Sequence, residues 1–155
     1  MTNATKLHYH TGMNISESIY DKLKSSGFKL TRGRKSIINI FIDRNQPVSA
    51  VEIMKRLHKR KINLHKTTIY RELEFLLDSK IIRQLQFADR KKMYEIRTAD
   101  HHHHLVCKNC QKTEKIASTP LEIEIQTLEK EILADSNFKN VAHSLEFFGL
   151  CGQCQ

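Results

Sequence analysis

No stretch of the 155-residue sequence approaches the ~20 consecutive apolar residues needed to cross a bilayer. The opening segment, MTNATKLHYH, has no apolar core of the signal-peptide kind, so export is not expected and a cytoplasmic location follows by default. There is no H-E-x-x-H pair and no placed general base, which leaves hydrolytic chemistry without machinery, and the chain is not expected to be an enzyme. Internal repeats are lacking, and the one low-complexity tract is a run of histidines. Cysteine is absent before Cys107, and the four that follow, at 107, 110, 151 and 154, are ill suited to disulfides in a reducing compartment.

What is present is unevenly placed. The net charge is +9, but residues 1–100 carry +11 and residues 101–155 carry −2. A basic part joined to a slightly acidic one suggests that the first meets a polyanion and the second does not.

Residues 1–13 show no periodicity and read as a loose arm. Ile15, Ile19 and Leu23 recur at helical spacing, with Gly27 as a stop. Thr31 can cap a second helix through about Asp43, broken at Gln46-Pro47. Ser49 and Glu52 form a capping box opening a third helix, with Ile53, Met54 and Leu57 inward. A fourth helix begins near Lys66 or Thr67 and buries Ile69, Leu73, Leu76 and Leu77. This stripe leaves Tyr70 and Arg71 exposed. Residues 81–87 and 92–96 read as two strands joined by a turn at Ala88–Lys91, whose tip, Arg90-Lys91-Lys92, is charged to touch phosphates. Helices followed by a basic hairpin make a winged helix-turn-helix over residues 14–97, with a hinge at 98–100.

Residues 101–155 read as strand, cysteine turn, strand, helix and final strand, making the whole chain α+β with a small α/β second domain. Thr119-Pro120-Leu121-Glu122 caps the helix, Leu121, Ile125, Leu128 and Ile132 form its buried stripe, and residues 141–148 form the last strand. This domain is too small to stand alone, so pairing with a second copy is expected.

Cys107-Lys-Asn-Cys110 and Cys151-Gly-Gln-Cys154 are two C-x-x-C turns, each aiming two thiolates at one point; together they complete the S₄ shell that zinc prefers. Such a closed site staples the domain and leaves no position for catalysis. The run His101-His102-His103-His104 abuts the first turn. In extended chain, His101 and His103 face one side and His102 and His104 the other, so one strand can serve two metal sites. Glu95, Glu122 and His143 are the candidates to complete them. Imidazole with carboxylate suits Zn²⁺, Fe²⁺, Mn²⁺ or Ni²⁺ without choosing among them.

Several of these segments resemble the ferric uptake regulator family of metal-dependent repressors, whose members sense iron, zinc, manganese, nickel or peroxide. The likeness spans about residues 20–154 and rests on Gly27-Phe-Lys-Leu-Thr31 with Arg34, Val48-Ser-Ala50, Thr67-Thr-Ile-Tyr70-Arg71, Tyr94-Glu95, HHHHLVCKNC, and HSLEFFGLCGQC from His143. It implies a homodimer on double-stranded DNA at AT-rich inverted repeats, with the helix carrying Thr67, Thr68, Tyr70 and Arg71 in the major groove. By the same resemblance Lys29 reaches the minor groove, Arg34 meets phosphates, and the wing residues Arg90 and Lys91 touch the backbone. A regulatory site in the dimerisation domain maps in full onto His101, His103, Glu122 and His143. A hinge site maps onto Glu95, His102 and His104, but the family's further ligand positions hold Pro47 and Lys115, and the cysteine of some zinc-type members is Arg97. Either His8 and His10 of the arm complete the hinge site, or the intact site does the sensing. The histidine run and HSLEFFG lean toward the zinc-sensing branch, and Glu95 toward the iron branch, with manganese or peroxide sensing as alternatives. A zinc-ribbon nucleic-acid module that senses nothing is the rival outside the family.

Overall fold

The computed structural model describes residues 14–86, 91–97, 101–117 and 119–155. His8 and His10, Arg90 at the wing tip and the hinge at 98–100 lie outside the described residues, as does the Thr119 side chain expected to cap a helix. The chain divides into two compact units, Met1–Ala99 and Asp100–Gln155.

The first unit runs α1 (Ile15–Ser25), α2 (Arg32–Arg44), β1 (Val48–Ser49), α3 (Ala50–Lys59), α4 (Lys66–Asp78), β2 (Ile82–Gln86) and β3 (Lys92–Ile96). Side chains that pair poorly with regular structure mark the helix ends. Asn14 Oδ1 accepts from Ser16 N–H at 3.2 Å, Thr31 Oγ1 from Arg34 N–H at 3.1 Å, and Ser49 Oγ from Glu52 N–H at 3.2 Å. The Glu52 carboxylate turns to Arg56 at 2.7 Å. Gly27, at φ +79, takes the chain out of α1 through a left-handed turn. Asn45 does the same after α2, at φ 47.

The inward faces of the four helices and the hairpin close on one core, in which Ile19, Ile37, Ile38, Ile40, Ile53 and Leu76 are fully buried. β2 and β3 pair antiparallel, with Ile82 opposite Ile96 and Gln86 opposite Lys92. The two-residue β1, which periodicity could not reveal, adds to the far side of β3 with Val48 opposite Tyr94. Helices capped by this hairpin make the winged helix-turn-helix arrangement.

Arg34 ties α2 to α4. Its Nε and Nη2 donate to the Glu72 carboxylate at 2.8 and 3.4 Å, Nη1 donates to the Lys29 carbonyl at 2.7 Å, and the guanidinium lies 3.6 Å from the centre of the Phe75 ring. Phe28 packs edge-on against the same ring.

The second unit is β4 (His103–Cys107), β5 (Thr113–Ile116), α5 (Thr119–Asp135) and β6 (Glu146–Gly149). β4 is central, antiparallel to β5 and parallel to β6, with α5 on the crossover that a parallel pair requires. Two expectations are corrected here. Residues 141–145 are irregular, so the last strand starts at Glu146 and His143 stands before it rather than within it. The buried stripe of α5 is also rotated: Leu121, Glu122, Ile125 and Glu129 are its less exposed side, while Leu128 and Ile132 are open. The reason is chemical, because the strand carries histidines that favour carboxylates over leucines. Among the described residues no helix is long and apolar enough to cross a membrane.

Arg34 and Glu72 are both largely shielded, at 12% and 15% exposure. A double-mutant cycle of Arg34→Met and Glu72→Gln, read by urea unfolding, is expected to give a coupling of roughly 1.5–3 kcal/mol, as for a charged hydrogen bond. A coupling near zero would show the pair to be an incidental surface contact.

Candidate metal centres and nucleic-acid interface

Strand geometry places the histidines. Because successive side chains of β4 and the residues before it alternate, His101 and His103 meet edge to face with ring centres 5.0 Å apart, and His102 and His104 at 5.1 Å. His103 and His104 are buried in the sheet, and His102 nearly so, whereas His101 is exposed.

On the first side, α5 and the irregular chain before β6 supply partners. His103 Nε2 lies 2.5 Å from Glu122 Oε1, and His101 Nε2 lies 3.5 Å from the same oxygen. The His143 ring sits 4.6 Å from His101 and 5.4 Å from His103, centre to centre. Each of His101, His103, Glu122 and His143 offers a ligand atom, and all four atoms lie within 4.8 Å of one another. His143 Nε2 is buried and has no hydrogen-bond partner. A buried polar atom without a partner is costly, and a cation bound by the four groups would remove that cost. The residues therefore fit a divalent metal of the N₃O class.

On the opposite side of β4, the register sets Lys115 of β5 across from His104. In the first unit, Glu95 is buried on β3 and its Oε1 accepts from Arg83 Nη2 and Nε, both at 2.6 Å.

The thiols form the other cluster. Cys107 ends β4, Cys110 follows in its turn, and Cys151 and Cys154 lie just beyond β6, so the parallel β4–β6 pairing brings the two turns together. All four sulfurs lie within 4.8 Å of one another, with Cys110 and Cys151 at 3.6 Å. That is too long for a disulfide and close to the edge of a tetrahedron with Zn–S bonds of about 2.3 Å, which is about 3.8 Å. Backbone N–H groups of Cys110 and Cys151 hold the Cys107 thiol down from 9.0 to about 6. The neighbouring thiols of Cys151 and Cys110 hydrogen-bond to Cys154 and push it up to about 12. Four thiols this close cannot all ionise unaided; a dication at their centre would let them.

The DNA-facing expectations fall on α4 and the loop before α2. Thr67, Thr68, Tyr70 and Arg71 are all exposed while Ile69, Leu73 and Leu76 are buried. Lys66 Nζ stands 6.0 Å from the Tyr70 ring centre, and His65 Nδ1 contacts Thr67 Oγ1. Lys29 and Lys91 are exposed. Arg34 is the departure: expected at a phosphate, it directs its donors to Glu72 and the Lys29 carbonyl.

Sequence reasoning missed three side chains with partners at these sites. Glu72 and Arg83 carry no motif. Glu129 did leave a signal: it lies seven residues after Glu122, two turns along the same face of α5, and its Oε1 is 2.9 Å from His143 Nδ1.

The ferric uptake regulator family model matches residues 25–148. The ferric uptake regulation protein of Bacillus subtilis is 30% identical over 145 residues, covering 91% of this chain and 95% of that protein. Among solved structures, the Vibrio cholerae ferric uptake regulator aligns with a TM-score of 0.71 at 30% identity, over 86% of this chain and 99% of its own. The Helicobacter pylori ferric uptake regulator, described as having three functional metal-binding sites, aligns at 0.69 and 25% identity, over 90% and 91%.

The thiol cluster generates a direct test. Cys151→Ser should abolish the tightly held metal ion of the second unit and, by hydrogen exchange, remove the protection of the β4–β6 amides, because binding and folding are coupled at such a site. Retained stoichiometric metal with unchanged β6 protection would show that the four thiols do not share an ion.

Proposed function

The chain belongs to the ferric uptake regulator family of metal-responsive regulators, and from that premise we propose that it is a cytoplasmic, homodimeric repressor that grips AT-rich inverted repeats of double-stranded DNA when a divalent metal occupies His101, His103, Glu122 and His143. The observation that carries the reading is the convergence of four ligand atoms within 4.8 Å of one another, one of them from His143, whose buried Nε2 has no hydrogen-bond partner.

Zn²⁺ is the metal this set favours, since three imidazoles and one carboxylate complete a tetrahedron without further ligands. Fe²⁺ is the second reading, favoured by the 30% identity to a ferric uptake regulation protein. Cys107, Cys110, Cys151 and Cys154 would hold a structural Zn²⁺. Glu95, His102 and His104 make a poorer set. Lys115 puts an ammonium across from His104 where the resemblance expects a carboxylate, Pro47 replaces an expected histidine, and the Glu95 carboxylate already serves Arg83. We assign sensing to the complete set and leave Glu95, His102 and His104 an auxiliary role.

The bound cation supplies the charge that draws the imidazoles and the carboxylate to one point. His143 then fixes the irregular 141–145 chain, His101 and His103 fix the start of β4, and Glu122 fixes the first turns of α5. This must favour the arrangement of reading heads that matches two half-sites, since only a difference in affinity between arrangements shifts their populations. Leu128, Ile132 and Phe138, exposed in the single chain, are the apolar surface for the second copy. On DNA, Tyr70 meets thymine methyl groups and Arg71 bases or phosphates, with Thr67, Thr68 and Lys91 on the backbone and Lys29 in the minor groove. Arg34 serves by holding the Lys29 carbonyl rather than by meeting a phosphate.

Protein retaining only thiolate-bound zinc should bind operator DNA at least tenfold more weakly than protein titrated with Zn²⁺, Fe²⁺ or Mn²⁺, and the most effective ion identifies the effector. Equal binding with and without added metal would leave a DNA-binding dimer with a zinc clip and no sensor. A second measurement separates residues that touch DNA from those that support them. Lys29→Ala and Arg71→Ala should flatten the plot of log affinity against log salt by about 0.9 for each phosphate that is no longer neutralised, whereas Glu72→Gln should weaken binding with the slope unchanged.

A further inference from the structure

His143 is an imidazole with two different ends. Nδ1 lies 2.9 Å from Glu129 Oε1 and Nε2 is buried with no partner. Only one tautomer satisfies this pattern. A carboxylate accepts, so Nδ1 carries the proton and donates it to Glu129, and the bare lone pair is on Nε2. The Glu129–His143 pair is itself sheltered, at 24% and 21% exposure, and lies on the face of α5 that also presents Glu122.

We propose that Glu129 is a positioning residue that converts His143 into a metal ligand, by selecting its tautomer and aiming Nε2 at Glu122, His101 and His103. This rests on the assignment of the regulatory site above and extends it by one residue. The need is specific to this fold. His103 is oriented by the strand, with His101 two residues before it, and Glu122 by a helix, but His143 sits in the irregular 141–145 chain three residues before β6, where the backbone does not fix a side chain. An orienting partner must come from another element, and α5 supplies it two turns beyond Glu122. Carboxylates that hold the far nitrogen of a ligating histidine also raise its basicity, and losing one typically weakens metal affinity 10–100-fold.

The rival is an ordinary surface ion pair. It does not explain why Nε2 is buried and unpartnered, nor why the two carboxylates share one helix face and meet different histidines.

The test uses the full chain with its thiolate-bound zinc in place and Co²⁺ as probe, comparing wild type, Glu129→Gln, Glu129→Leu and His143→Ala. Gln keeps an oxygen that can accept from Nδ1, so its Co²⁺ affinity should stay within about threefold of wild type with the visible absorption spectrum unchanged. Leu should lose 10–100-fold, approaching His143→Ala. In the same protein without added Co²⁺, ¹⁵N spectra should show His143 protonated at Nδ1 in wild type and Gln, and a mixture of tautomers in Leu. Leu within twofold of wild type, while His143→Ala abolishes binding, would overturn the proposal. So would Gln falling as far as Leu with an altered spectrum, which would make Glu129 a ligand itself. Should wild type take up no Co²⁺, the regulatory site fails instead, and the tautomer measurement still decides whether Glu129 orients His143.

Discussion

The parallel pairing of β4 with β6 is the contact on which the second unit depends. Leu105 stands opposite Phe147 and Cys107 opposite Gly149, a register that brings two C-x-x-C turns from distant parts of the chain to one point. Parallel strands cannot be joined by a tight turn, so nothing local holds this register. A metal ion shared by the four sulfurs, which lie within 4.8 Å of one another, would hold it. The same register decides where His143 lies, because it precedes β6 by only a few residues. A shift of one residue along β4 would reverse which face each histidine presents and separate His143 from His101 and His103. The thiol cluster and the imidazole cluster are thus two ends of one alignment, so a disturbance of the register at one would reach the other.

Two of the carboxylates of the second unit, Glu122 and Glu129, answer to its histidines. A strand with imidazoles facing a helix cannot be covered by a wholly apolar stripe without leaving ring nitrogens unsatisfied. Glu122 and Glu129 answer this by sharing the less exposed side of α5 with Leu121 and Ile125, which leaves Ile123, Leu128, Ile132 and Leu133 open. The first unit solves the complementary problem. Its core is almost entirely aliphatic, and the charges drawn inward are paired: Glu95 with Arg83, and Arg34 with Glu72 where α4 meets the loop bearing Lys29.

Much of this is legible in the sequence because periodicity and chain-local chemistry govern it. The stripes of α1 to α4, the caps at Thr31 and Ser49, the hairpin and the C-x-x-C pairs each depend on residues a few positions apart. The alternation along the histidine run needs only the geometry of a strand. What escapes depends on tertiary context. β1 is two residues long and exists only because β3 lies beside it. Residues 141–145 look like a strand by composition, yet have no ladder partner. The inward face of α5 departs from its apolar periodicity because ligand chemistry, rather than hydrophobicity, selects it. The Arg34 contacts with Glu72 and Phe75 join residues some forty positions apart, which no local pattern announces.

The two sides of β4 differ in a way that bears on which one senses. On one side, the charged groups that meet the imidazoles are carboxylates, and an incoming dication meets Glu122 directly with Glu129 behind His143. On the other, the cross-strand neighbour of His104 is Lys115, and like charges directly opposite on a sheet oppose one another. Lys115 is exposed, so water screens part of this repulsion, while His104 itself is buried. A dication bound through His104 would draw on the Glu95 carboxylate, which Arg83 already engages, while one bound through His103 has Glu122 in reach and Glu129 behind His143. That difference in surrounding charge, rather than the identity of the metal, is the ground for proposing His101, His103, Glu122 and His143 as the sensing set.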